Sequence, residues 1–295
     1  MTDSQAKLST LGKARLEYLR RLPQYQYEKP YTIGYDIPLV IESSRSNLDF
    51  EEHWFDVSDV RQCLDTLSLE RDGFEVVSLS ERLMSTHFMS DDKLMESRGV
   101  QSVLKDRFLS ELVVVYDHVR RREVSREEEN SFNQVNKPKR SIVVRNPHAD
   151  QTAESGLNRV TTHLSTEEVE KYMSNGWRIR IINFWKPVHH SVVSSPLVFC
   201  DPSSISPEDR APCDVVSHNY VGESQFLYHS PEHRWSCLSN QQLNEAFIFV
   251  SYDSYSGGGP EACFHSSCVL ADDVGLKPSC PRESMEARAI VITKS

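Results

Sequence analysis

The sequence has few of the patterns that mark membrane, secreted or nucleic-acid-binding proteins. No apolar run among its 295 residues approaches the length that crosses a bilayer. The first residues lack the basic-then-apolar pattern of a signal peptide. Acidic residues outnumber basic ones by 43 to 33, and the net charge of −10 argues against nucleic acid or an anionic membrane as the main partner. We therefore expect a cytoplasmic protein that acts on a small molecule, and a homodimer is compatible with this composition.

Cysteine and glycine motifs are also scarce. The seven cysteines are odd in number and irregularly spaced, and no two of them form a Cys-x-x-Cys pair. This pattern argues against a disulfide framework or a zinc ribbon and favours reduced thiols. The glycine run at residues 257–259 is not followed by the Gly-Lys-Ser/Thr of a phosphate-binding loop. We therefore expect no disulfide framework, no zinc ribbon and no phosphate-binding loop at the glycine run.

Many short β-branched and aromatic runs, separated by turn residues, fill the second half of the chain. The longest is Arg178 to Trp185. Such spacing predicts a mainly β fold, a sandwich or barrel, with peripheral helices. Leucines spaced among Lys and Arg predict an amphipathic helix over residues 5–22. We accordingly divide the chain into residues 1–54, an N-terminal helix and irregular extension, and residues 55–295, a β domain. The charged segment from Arg120 to Arg140 predicts a solvated loop.

The first chemical signal is the pair His148 and Asp150, which follows a short β-branched run at Ser141–Arg145. That run predicts a strand, and two residues two positions apart at a strand end project to the same side. An imidazole and a carboxylate supply two of the three protein ligands of a 2-His-1-carboxylate iron site. A turn formed by Pro147 and Asp150 is the alternative interpretation.

Two later features could complete such a site. His265 lies in the middle of a short strand-like run, Ala262 to Ser266. Strands far apart in sequence can lie side by side in a jelly roll, so His265 could complete the site, although a buried core histidine is the alternative. A strand after Arg282 would place residues 282, 284, 286 and 288 on one face. An arginine with a hydroxyl two positions away, here Ser284, suits a carboxylate because guanidinium binds that group bidentately.

The sequence also resembles a known family, the hydroxylase/desaturase group of iron- and 2-oxoglutarate-dependent oxygenases. This group includes gibberellin-desaturase-like and cephalosporin-methoxylation-related proteins of fungal and bacterial specialised metabolism. The resemblance runs from about residue 55 to the end. The matching segments are Asp59-Val60-Arg61, Asp72 to Val77, Tyr116 to Arg121, His148 to Thr152, Arg178 to Pro187, His233-Arg234-Trp235, Asp253-Ser254 and Pro281 to Arg288.

The resemblance implies a double-stranded β-helix (a jelly roll, cupin-like) that holds Fe(II) through His148, Asp150 and His265. 2-Oxoglutarate and O2 would take the remaining positions on the metal. Arg282 and Ser284 would then hold the distal carboxylate of 2-oxoglutarate. Arg288 would face the same ligand nearer the iron, unless it forms a salt bridge with a neighbouring glutamate.

Four further residues are candidates for the substrate side. Asn183 and Trp185 are two positions apart and share one face of their strand, although Trp185 is equally well explained as a core residue. His229 and His233 are four apart, but Pro231 between them argues against a helix that would make them a metal pair.

Two functions from different classes fit these expectations. The first is an Fe(II)/2-oxoglutarate-dependent dioxygenase that activates a C–H bond of a small molecule in secondary metabolism, by hydroxylation, desaturation or oxidative cyclisation. The alternative is a catalytically altered jelly-roll protein that binds a small molecule, or promotes a non-redox step, without turning over 2-oxoglutarate.

Overall fold

Strands account for most of the regular structure. The computed structural model describes residues 9–35, 37–90, 92–124, 142–255, 257, 259–275 and 280–295. The strands are β1 Ser9–Leu19, β2 Tyr31–Ile33, β3 Phe50–Asp59, β4 Phe74–Ser78, β5 Leu112–Arg122, β6 His148–Ala149, β7 Trp177–Pro187, β8 Leu197–Cys200, β9 Arg210–Ser217, β10 Tyr220–Leu227, β11 Trp235–Cys237, β12 Glu245–Asp253, β13 His265–Ser267, β14 Val269–Leu270 and β15 Glu283–Lys294. The α-helices are α1 Leu69–Asp72, α2 Glu81–Leu83, α3 Lys93–Phe108, α4 Ala153–His163 and α5 Thr166–Tyr172.

The described strands form two sheets. One has ten strands in the order β14-β1-β3-β11-β8-β13-β6-β10-β9-β2, and the other has five in the order β4-β12-β7-β15-β5. The two sheets contact each other where β8 meets β12, and where Asp150, just after β6, meets β7 and β15. This arrangement places strands that are distant in sequence side by side, as β6 and β13 are. The predicted jelly roll with peripheral helices is confirmed.

Apolar side chains fill the space between the sheets and the outer side of the second sheet. Phe199 of β8 lies against Phe247 and Phe249 of β12, with ring centroids 4.8 and 5.2 Å apart. On the other face, Ile182 and Phe184 of β7 belong to a core that α3 covers. Because β7 is buried on both faces from Ile179 onward, apolar residues stand on both sides of the strand, and this explains its strong strand signal. Arg180, Asn183 and Lys186 are buried polar exceptions.

The predicted N-terminal helix is wrong, because the described part of residues 5–22 contains β1, which pairs antiparallel with β3. Ala14, Leu16 and Tyr18 are buried, so the burial in β1 has a period of two. The leucines that suggested a helical period include Leu11, which is exposed. The boundary predicted between residues 54 and 55 falls inside β3, and β1 belongs to the same sheet as β6 and β13.

The prediction of a strand at Ser141–Arg145 is also wrong for the described residues 142–145, which do not pair continuously with any one strand. Ser141 lies outside the described residues, and Ile142 makes only an isolated bridge to Arg122. The carbonyl of Val144 accepts from Ser267 N and that of Arg145 from Glu17 N, so this segment bonds to two different elements. Of the predicted charged loop, Arg120–Arg122 belong to β5, and residues 125–141 lie outside the described ranges.

Candidate metal centre

Two histidines meet through direct strand pairing. His148 of β6 is the register partner of His265 of β13, and their ring centroids are 4.4 Å apart. Each Nδ1 is engaged by a backbone carbonyl, that of Asn146 at 2.8 Å and that of Cys263 at 3.1 Å. This hydrogen bond fixes each ring and leaves its Nε2 for another ligand.

Asp150 completes the group. Its Oδ1 lies 3.8 Å from His148 Nε2, and the ligand atoms of His148, Asp150 and His265 all lie within 4.8 Å of one another. Asn183 of β7 donates from Nδ2 to the Asp150 carboxylate at 2.5 Å. The structure therefore brings together the three predicted ligands, and it places Asn183 beside them.

Arg288 of β15 is shared among three carboxylates. Its Nε and Nη2 donate to the two oxygens of Asp150 at 3.1 and 3.0 Å. Its Nη1 donates to Asp117 of β5 at 2.7 Å, and its Nη2 also contacts Glu286. A bidentate guanidinium holds a carboxylate in one plane. Arg288 thus orients Asp150 within the group.

A β-bulge shapes β5 at this point. Arg288 pairs with Asp117 and Ala289 with Val115, so Tyr116 is the extra residue. The Tyr116 hydroxyl is buried and has no hydrogen-bond partner among the described residues. Burial raises the pKa of Tyr116 well above its usual value; Arg288 opposes this shift, and Asp150 adds to it. The bulge therefore places Tyr116 beside the charged centre.

The surroundings of His148 and Asp150 favour a neutral imidazole and an ionised carboxylate, which are the forms that bind a metal. Burial and the neighbouring His265 lower the pKa of His148 to about 4, so its imidazole is neutral at physiological pH. Burial alone would raise the pKa of Asp150, but Arg288 and the two histidines bring it well below its usual range. Metal ligands must be deprotonated. The group therefore offers a neutral His148 imidazole, the Asp150 carboxylate and the imidazole of His265. Two imidazoles and one carboxylate are the donor set of non-haem Fe(II) sites.

A second polar group is formed around Arg282, which immediately precedes β15. Arg282, which is 2% exposed, donates from Nη1 to the backbone carbonyl of Ser195 at 2.6 Å and to Ser267 Oγ at 3.1 Å. Ser267 lies two positions after His265 on β13. The Arg282 guanidinium lies over the ring of Trp185, 5.3 Å from its centroid. Burial lowers the pKa of Arg282 to about 9, so an anion beside it would be stabilising.

Two polar atoms of this second group have no partner among the described residues. They are Arg282 Nε and Ser284 Oγ, and both are buried. Buried polar groups are nearly always hydrogen-bonded, so such a pair needs an explanation. An N–H and an O–H donor two positions apart on one strand face match the two oxygens of a carboxylate. The residues present therefore fit the distal carboxylate of 2-oxoglutarate as well as they fit Fe(II).

The remaining predicted substrate residues divide into two pairs. Both Asn183 and Trp185 lie at the centre. Asn183 donates a hydrogen bond to Asp150, and the ring of Trp185 packs against the guanidinium of Arg282. His229 and His233 do not join it. They pack against Tyr18, and His233 Nε2 pairs with Asp209 at 3.2 Å. Tyr18 belongs to a core that includes Ala149, whose side chain points to the opposite face of β6 from His148.

Asp117 is the contact that the sequence analysis missed. It stands in the segment Tyr116 to Arg121, which was matched to the family without any role for the carboxylate. Its position opposite Arg288 depends on the register between β5 and β15 and on the bulge at Tyr116. A period-two count along β5 would have flagged Asp117, Val119 and Arg121 as one face, but nothing local identifies the partner of Asp117.

One protein-family model matches most of the chain. The family described as "Oxidoreductase/YMDC permease-like domain" matches residues 16–292. This chain belongs to the oxidoreductase/YMDC permease-like family. Among the residues that the structure describes, no helix is both long and apolar enough to cross a membrane.

Two relatives of this chain come from Aspergillus species. The Fe(II)/2-oxoglutarate-dependent dioxygenase nvfI of Aspergillus novofumigatus is 26% identical over 255 residues, which are 84% of this chain and 86% of that protein. Aspirochlorine biosynthesis protein N of Aspergillus oryzae is 28% identical over 135 residues, 45% of this chain and 55% of its own. The resemblance to iron- and 2-oxoglutarate-dependent oxygenases is thereby confirmed.

Solved structures agree on the fold. A single-residue variant of the iron and alpha-ketoglutarate-dependent endoperoxidase NvfI superposes with a TM-score of 0.79 at 22% identity, covering 97% of this chain and 99% of that one. NvfI itself gives a TM-score of 0.75 at 21% identity, over 96% and 98% of the two chains. The fold of the oxidoreductase/YMDC permease-like chain is therefore that of these enzymes.

Proposed function

We propose that this protein is an Fe(II)/2-oxoglutarate-dependent oxygenase that activates a C–H bond of a small molecule in secondary-metabolite biosynthesis. The observation that carries this proposal is the convergence of His148, Asp150 and His265 from separate segments of the chain, with their ligand atoms within 4.8 Å of one another. A relative that covers most of the chain is named as an Fe(II)/2-oxoglutarate-dependent dioxygenase, and this supports the same reaction class.

In this proposal each part of the centre has a separate task. His148, Asp150 and His265 hold Fe(II), while Arg282 and Ser284 bind the distal carboxylate of 2-oxoglutarate. When both are bound, they supply the oxidising power that removes hydrogen from a C–H bond, with O2 as the oxidant. Arg288 and Asn183 keep the Asp150 carboxylate in one orientation.

Aromatic side chains line the candidate centre. Phe249 lies against the ring of His265, with centroids 4.6 Å apart, and Trp185 covers Arg282 on one side. The side chains of His148 and Asp150 are only 13% and 11% exposed, and low exposure to water strengthens ionic contacts. The reactive carbon of a small-molecule substrate would have to approach the group formed by His148, Asp150 and His265.

We also propose a cytoplasmic location. All seven cysteines are free, which supports a reducing compartment. The net charge of −10 supports the absence of nucleic-acid and membrane partners. A homodimer stays a prediction, for which the oligomeric state in solution is the test.

An anaerobic titration tests the function directly. Adding Fe(II) and then 2-oxoglutarate should produce a weak charge-transfer band in the visible, which His148→Ala should abolish. Exposed His189→Ala is the matched control, because it removes an imidazole that touches no part of the centre. Succinate should form when a substrate is supplied in air.

The same experiment tests the alternative, a jelly-roll protein that no longer turns over 2-oxoglutarate. Absence of the band in the unmodified protein, together with no succinate from any candidate substrate, would favour that alternative.

A further inference from the structure

Arg121 of β5 lies at the carboxylate end of the centre. In the pairing of β5 with β15, Arg121 is the direct register partner of Ser284. Side chains of directly opposed residues lie about 5 Å apart at Cβ on the same face of a sheet. Arg121 is also four positions after Asp117 on β5, so the two side chains lie on the same face of the strand, called here the inner face because Asp117 contacts Arg288 there. Its side chain is 13% exposed.

Contacts within the part of the chain that the structure describes hold the guanidinium of Arg121. Its Nη1 donates to the carbonyl of Ile142 at 3.2 Å, and its Nε lies 3.5 Å from Glu286 Oε2. Glu286 stands between Ser284 and Arg288 on the inner face of β15. The guanidinium is therefore held alongside the stretch of β15 that runs from the carboxylate group to the metal group.

Burial lowers the pKa of Arg282, and the positive charge of Arg121 lowers it further. Arg288, the residue expected nearer the iron, is instead engaged by Asp150 and Asp117.

We propose that Arg121 is a second arginine for the distal carboxylate of 2-oxoglutarate, alongside Arg282 and Ser284. This inference rests on the proposed function. The carboxylate lies between the guanidinium of Arg121 in β5 and that of Arg282, which immediately precedes β15, with the hydroxyl of Ser284 beside it. Glu286 acts as a positioning residue, because it holds Arg121 from one side and Arg288 from the other.

The competing role for Arg121 is purely structural, as a tie between β5, Ile142 and Glu286. A structural tie would stabilise the fold whichever 2-oxo acid is bound. A carboxylate contact would discriminate between 2-oxo acids that have and lack the distal carboxylate. The pair 2-oxoglutarate and 2-oxopentanoate differs in that group alone.

The test is calorimetric titration of the Mn(II)-loaded protein with each of these two acids. Arg121→Gln should raise the Kd for 2-oxoglutarate by about 10- to 100-fold, the range for a lost charge-assisted hydrogen bond. It should leave the weaker Kd for 2-oxopentanoate within about threefold of the unmodified value. Arg122→Gln is the matched control, since Arg122 is the exposed neighbour that points away; it should change neither Kd.

The possible results distinguish the proposed role of Arg121 from the proposed oxygenase function. Unchanged 2-oxoglutarate binding by Arg121→Gln, or equal losses for both acids, would overturn the role of Arg121 while leaving the oxygenase intact. Failure of the unmodified protein to bind 2-oxoglutarate would overturn both. If Arg121→Gln does not fold, Arg121→Lys replaces it, and the ratio of its two Kd changes decides in the same way.

Discussion

His148 and His265 are directly opposed residues on neighbouring antiparallel strands. The backbone ladder therefore sets the distance between the two imidazoles, and each ring is fixed again by a carbonyl two residues before it. Asp150 lies just beyond β6, and its carboxylate depends on side chains for its orientation. Perturbations of the metal centre are thus best aimed at the partners of Asp150.

Arg288→Lys should weaken metal binding without unfolding the protein. Lysine keeps the positive charge among Asp117, Asp150 and Glu286 but cannot form the two parallel bonds that orient Asp150. Loss of such a supporting contact typically costs about 10- to 100-fold in metal affinity. Anaerobic Fe(II) or Mn(II) titration measures this, with the exposed ion-pair residue Arg234 changed to lysine as control. Equal metal affinity in Arg288→Lys and the unmodified protein would contradict the orienting role.

Asn183→Asp should make the fold more dependent on metal. The new carboxylate would lie within hydrogen-bond distance of Asp150, and like charges at that distance repel. We expect a lower Tm without metal and a larger rise in Tm on adding Mn(II) than in the unmodified protein, since a ligand stabilises the state that binds it. Asn240→Asp, a surface change outside the centre, is the control. A metal-induced rise equal to that of the unmodified protein would refute this expectation.

Ser284→Ala should separate binding from stability. The Ser284 hydroxyl is buried without a partner among the described residues, so its removal should leave the free energy of unfolding unchanged or slightly higher. If it donates to 2-oxoglutarate, the Kd should rise by about 5- to 30-fold, equivalent to roughly 1–2 kcal/mol. Urea unfolding and 2-oxoglutarate titration measure the two quantities. A loss of stability with unchanged affinity would assign Ser284 to packing instead.

Lys186→Met should stabilise the protein at neutral pH. Lys186 is fully buried, and burial lowers its pKa from 10.5 to about 8, while Glu96 opposes the shift. Between these values the unfolded chain binds a proton that the folded protein does not, so the unmodified protein gains stability as pH rises across this window. At pH 7 the variant should be more stable by on the order of 2 kcal/mol.

Urea unfolding at pH 7 and pH 9.5 tests this linkage. The advantage of Lys186→Met should shrink at the higher pH, because the unmodified protein no longer holds a buried charge there. Lys171→Met removes an exposed lysine and should show no such trend. An advantage that is the same at both pH values would place the effect in packing and not in the charge.

Two pairs of the candidate site were predictable because their signals are local. His265 was assigned through the family resemblance and the order of the motifs, and the ligand roles of all these residues stay a prediction. His148 and Asp150 stand two apart, and Arg282 and Ser284 do likewise, and β7 and β15 are apolar enough to be recognised from their own residues. The jelly-roll order then follows from many short strands separated by turns.

What the sequence did not reveal depends on register between distant strands. Asp117 reaches Arg288 only because Tyr116 is an extra residue in the β5–β15 pairing, and no property of residues 115–117 alone indicates a bulge. The same reason explains the error in β1. Its buried Ala14, Leu16 and Tyr18 alternate, but the pairing with β3 that decides between strand and helix lies some forty residues away.

Arg288 also joins the two sheets, because it connects β15 and β5 of one sheet to Asp150, which follows β6 of the other. Its ion pairs form from the chain's own residues as the strands come together. The side chain that orients the carboxylate of the candidate metal centre is therefore also a tie between the two sheets. We expect a change at Arg288 to alter the cohesion of the sheets together with the geometry of the centre.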